Sequence, residues 1–132
     1  MDFFFREHQQ ELSQLQTHLQ QLQKTTGIRG INLEYGKVYL AKSESLSINN
    51  AIQRFSEEEG KINQALEMEE ALGLKNAYLL DDDSFWLIFN EGDILGADFG
   101  FLHEGNKPLS SYRILNHSRP MPTAKGWYLI KL

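Results

Sequence analysis

The chain of 132 residues has no cysteine, which excludes disulfides, thiol nucleophiles and thiolate metal sites. Long apolar runs are also missing. The longest, residues 85–89, falls far short of the roughly 20 residues that cross a bilayer. The start lacks a basic region followed by a long apolar stretch, so no secretory signal is read and the cytoplasm is the expected compartment. No histidine pair has His-x-x-x-His spacing, and no Gly-x-Ser-x-Gly surrounds a nucleophile. The glycine-containing stretches GIRG and GADFG lack the length, lysine or order of a phosphate-binding loop. No cofactor and no metal are therefore expected.

What is present reads as a globular protein. Hydrophobic residues at 41% and aromatics at 11% are values of folded rather than disordered chains. The length suits a single domain over residues 1–132 with a core of its own.

Charge is the most uneven property. Residues 43–104 hold 14 acids against Arg54, Lys61 and Lys75, a net of −11. Residues 105–132 hold five basic residues and no acid. The whole chain carries −5. Such asymmetry bears on partners rather than on fold.

The periodicity assigns elements. Phe5, His8, Leu12, Leu15, Leu19 and Leu22 alternate spacings of three and four, with glutamines on the other faces. This predicts a helix from residue 2 to about residue 25, ended by Gly27. Its narrow seam is expected to pack on the chain's own sheet, with a homodimer through this helix as the second option. Residues 31–40 read as a hairpin turning near residues 34–37, and residues 43–47 as loop. Ser47 or Asn49 would cap a second helical region over residues 48–72, interrupted at Gly60, with Ser56-x-x-Glu59 as a capping box and Gly73 as the C-terminal stop. Short strands are then expected at residues 77–80, 85–89, 94–102, 109–115 and 127–130, joined by turns. The fold class is α+β. About seven short strands form a mainly antiparallel sheet with a C-terminal meander, and the N-terminal helix and the second helical region pack on it.

The acids around the apolar run at 85–89 do not form one site. A strand rising about 3.3 Å per residue holds Asp83 and Asp93 on the order of 20 Å apart, too far for one ion. Asp81, Asp82 and Asp83 lack the spacing and distal glutamate of a calcium loop and read as a solvated hairpin tip. Asp98 sits in a strand between Gly96 and Gly100, on the face opposite Phe99 and Phe101. With His103 or His117 it would be the centre of a small hydrolase-like enzyme. The basic residues Arg113, Arg119, Lys125 and Lys131 stand near Tyr112, Trp127 and Tyr128, but a sequence pI near 5.3 has the wrong sign for a phosphate binder, so no nucleic-acid partner is expected.

The acidic middle carries the favoured function. Glu57, Glu58, Glu59, Glu67, Glu69, Glu70, Asp81, Asp82 and Asp83, with Trp86 as an aromatic anchor, are expected to bind a basic protein. Small, acidic, cysteine-free α+β domains of this composition are common among immunity proteins that neutralise nuclease toxins. That analogy is one of composition only.

Overall fold

Leu12, Leu15, Leu19 and Leu22 are each fully buried, and this seam sets the position of the 25-residue helix α1 (Asp2–Thr26). The leucines are spent on the chain's own core, and Gln10, Gln14 and Gln21 are exposed on the other side. The helix stops where Gly27 takes φ +82° and donates its N–H to the Gln23 carbonyl at 2.9 Å. Thr26 Oγ1 donates to the Leu22 carbonyl and accepts from Ile28 N–H, so the turn into the first strand satisfies its own polar groups.

The computed structural model describes residues 2–41, 44–79, 84–89, 99–103, 118–120 and 126–131. Beyond α1 its elements are β1 (Ile28–Asn32), β2 (Lys37–Leu40), β3 (Ser45–Ser47), α2 (Ile48–Arg54), a 3-10 turn (Ser56–Glu58), α3 (Glu59–Leu72), β4 (Leu74–Leu79), β5 (Phe85–Phe89), β6 (Phe99–His103), β7 (Ser118–Pro120) and β8 (Trp127–Lys131). The class is α+β. The strands form one antiparallel sheet in the order β3-β2-β1-β4-β5-β6-β8-β7. Against an expectation of about seven strands, five reach five residues or more, and β2, β3 and β7 are shorter.

Several boundaries differ from the sequence reading. Residues 45–47, expected as loop, pair with β2, Leu46 lying opposite Val38. The flanking serines hide the alternation, and the backbone ladder alone defines this edge. β4 begins at Leu74, directly after Gly73. The expected C-terminal meander is broken, because β8 inserts between β6 and β7. The expected strand at 109–115, and residues 94–98 of another, lie outside the described residues.

Register divides the sheet into two faces. Ile31, Val38, Ala77, Leu79, Phe85 and Leu87 are fully buried against the helices, in one cluster with the α1 leucines, Ile62, Ala65 and Leu72. Alternate positions point the other way, and one row crosses the sheet through Tyr39, Gly30, Tyr78 and Trp86. The Tyr39 and Tyr78 rings meet edge to face across Gly30, centroids 5.8 Å apart. Phe85 packs edge to face on Trp127 at 6.4 Å.

Candidate protein-binding face

The segment that carries most of the candidate glutamates is anchored at both ends. Ser47 caps α2, its hydroxyl accepting from Asn50 N–H at 3.1 Å. At the far end Gly73 adopts the left-handed conformation, φ +72°, and donates to the Glu69 and Glu70 carbonyls. The interruption between these ends falls at Phe55 rather than at Gly60. Phe55 N–H still bonds to the Ala51 carbonyl, but its ψ of 49° leaves the helical region. Its ring packs against the core, which gives the chain a reason to turn there. Gly60 stands inside α3, where an added Cβ would meet nothing within 4 Å. The expected capping box does not form, since no side chain caps the start of α3.

α3 buries Ile62, Ala65, Glu69 and Leu72, so the opposite face is fixed. Glu59, Glu67 and Glu70 are exposed there, with Asn63 in the same stripe. Eleven residues of helix separate the first from the last, roughly 16 Å. Glu57 is exposed in the preceding 3-10 turn, and Glu58 is half-buried.

The ion pairs pick out which acids are free. Glu58 meets Lys61 at 3.4 Å, Glu44 meets Arg54 at 2.7 Å and Glu34 meets Lys75 at 3.8 Å. Glu57, Glu59, Glu67 and Glu70 have no cation in reach among the described residues. Glu67 and Glu70 stand in the last two turns of α3, whose last turn holds no basic residue of its own to answer the negative end of the helix dipole. Like charges one turn apart cost a few tenths of a kcal/mol, roughly 0.2–0.5. Among the described residues, no cation stands within ion-pair distance of these four glutamates.

Two expected members of the surface are corrected. Glu69 is 0% exposed. Both carboxyl oxygens are buried without a hydrogen-bond partner, and burial raises its pKa well above the usual carboxylate range. It cannot contribute a surface charge. The spacing 62, 65, 69 and 72 is a helical face, and that signal could have placed Glu69 inside. Trp86 is not an exposed anchor either. It is half-buried, its indole Nε1 is buried, and it lies beside Tyr78 on the sheet face away from α3. It cannot share one flat interface with the α3 glutamates. Asp81, Asp82 and Asp83, in the connection from β4 to β5, lie outside the described residues.

Of the enzyme candidates, Asp98 and His117 also lie outside the described residues. His103 ends β6 rather than standing in a loop. Its Nδ1 lies 3.2 Å from Gln16 Nε2, and its ring is tilted on Trp127 at 4.9 Å. The amide nitrogen of Gln16 only donates, so His103 Nδ1 accepts this bond. This histidine docks α1 onto the sheet. His18, which the sequence pattern did not single out, plays a similar part: its Nε2 donates to the Lys61 carbonyl at 2.6 Å and ties α1 to α3.

Among the described residues no group of three or more histidine, aspartate or glutamate side chains could hold a metal, and no helix is long and apolar enough to cross a membrane. No protein-family model, curated protein or solved structure matches the chain.

Proposed function

We propose that this protein is a binding module that captures a basic protein partner through the exposed face of α3 and the turn before it. The observation that carries the reading is the set Glu57, Glu59, Glu67 and Glu70. Glu59, Glu67 and Glu70 stand on a helix locked by its buried face, with Glu57 in the turn before it, and none of the four has a cation within ion-pair distance among the described residues. A chain that needed acids only for solubility gains nothing from leaving two of them at the negative end of a helix dipole. A cationic partner would offset that repulsion on binding. Surfaces of this kind steer encounter and raise association rates.

The partner class that best fits is a basic protein acting on nucleic acid, such as a nuclease toxin in the cytoplasm, with this chain as its immunity or antitoxin protein. The acidic face would occupy the site that otherwise holds phosphates. The test is affinity capture of the tagged chain from its native cells at low salt, in parallel with a variant carrying Glu57→Lys, Glu59→Lys, Glu67→Lys and Glu70→Lys. One stoichiometric basic protein with the parent, lost with the variant, is the expected result. Equal recovery by both proteins, or none by either, would remove the proposal.

A further inference from the structure

Beside the acidic stripe runs a groove between α1 and α3, lined by Glu11, Gln14, Met68, Ala71 and Leu72. Its volume is about 130 Å³, close to the ~150 Å³ cavity that accepts a benzene ring, so it has room for one apolar side chain. The floor is Leu72, almost fully buried. Ala71 is exposed and Met68 half-exposed, and methionine reshapes readily around an incoming group. None of the lining residues is basic. Glu11 stands on the α1 wall, with His8 3.0 Å from its carboxylate. Glu67 precedes Ala71 by one helical turn on the α3 wall and has no cation in reach among the described residues. An apolar slot with one carboxylate in its α1 wall and a second one turn away from its α3 wall disfavours phosphate and favours a cationic occupant. A second copy docked about a twofold axis would set these like charges against each other.

We propose that the groove is the anchor point of the acidic face, and that it receives one aliphatic or aromatic side chain of a basic polypeptide segment whose flanking lysines or arginines meet Glu11 and Glu67. This rests on the reading of the α3 face as the partner surface and adds to it the kind of segment recognised. Charge on the stripe brings the partner in, and the buried side chain slows its departure. That division is usual at interfaces, where charge acts mainly on the association rate and a desolvated anchor on dissociation.

The experiment uses the full chain labelled with ¹³C at the methionine methyls, the Met68 signal being assigned by Met68→Leu. It is titrated with a synthetic amphipathic leucine–lysine helix and, separately, with an oligolysine of equal charge. The expected result is a saturable shift of the Met68 methyl with the amphipathic peptide only. Oligolysine should bind at least about tenfold more weakly. Ala71→Arg, a surface change that leaves the core intact, should weaken the amphipathic peptide by a similar factor while the thermal midpoint stays put. Binding of both peptides with Met68 unmoved, or equal affinity for Ala71→Arg and the parent, would overturn the groove and leave the acidic face standing. Binding of neither would overturn both. Met68 shifts that depend on protein concentration without peptide would make a second copy the occupant and overturn the proposal.

Discussion

A methyl group added at Gly30 would lie 2.5 Å from the Ala77 carbonyl oxygen and 2.6 Å from Tyr78 Cδ2. Backbone on one side and a ring held by Tyr39 on the other leave it nowhere to go. Gly30→Ala should therefore cost about 1–3 kcal/mol, the usual scale for overpacking, read as a lower urea midpoint with an unchanged slope. Glu69 makes the opposite kind of statement. Its carboxyl is buried without a partner, and burial holds its pKa well above the usual range. Unfolded, it titrates near about 4.3. The stability this group contributes is thus fully present below that value and is lost as pH rises through the folded pKa. Stability measured by urea denaturation should decline with pH from there upward. Glu69→Leu should flatten the dependence and stabilise the protein at mildly alkaline pH by about 1–3 kcal/mol. A variant whose stability falls with pH as steeply as the parent's would count against this account. At this scale the serine cap at Ser47 and the glycine stops at Gly27 and Gly73 were legible, because each answers a local backbone need. Gly30 was not, because the atoms it makes room for belong to a strand more than 40 residues away.

At the scale of elements, α1 was the most legible part, since a seam repeated over six positions leaves one helical face to bury. The second helical region was legible in extent but not in its break. Gly60 is the residue that propensity would choose, yet the chain breaks at Phe55, where a ring can reach the core; packing overrides propensity. Gly73 closes α3 with φ +72°, a conformation that a side chain adopts at a cost of roughly 1–2 kcal/mol. Gly73→Ala should lower stability by about that amount in the same denaturation measurement. It should also fray the turn that carries Glu70, seen as faster amide exchange there. Unchanged exchange would mean that the cap does not hold the end of the stripe.

For the whole molecule, the strands pair across long stretches of sequence. β1 lies beside β4 only because α2 and α3 return the chain across the sheet, and no local pattern announces such a crossing or the insertion of β8 ahead of β7. The α+β class was legible because helical and alternating periods separate cleanly along the chain. The concentration of acids was also legible, but their arrangement was not. Composition counts Glu69 with its neighbours, whereas the fold turns it inward and sets Trp86 on the other side of the sheet from the glutamates that remain. Those glutamates carry the proposed role. The measurement that tests it most directly is the rate at which the captured basic partner associates with this protein as salt is raised, for the parent and for Glu57→Lys, Glu59→Lys, Glu67→Lys and Glu70→Lys combined. Steering through this face predicts a parent rate that falls by about tenfold or more with ionic strength, and a variant rate that is slow and nearly indifferent to salt. Equal rates and equal salt dependence for the two proteins would contradict it.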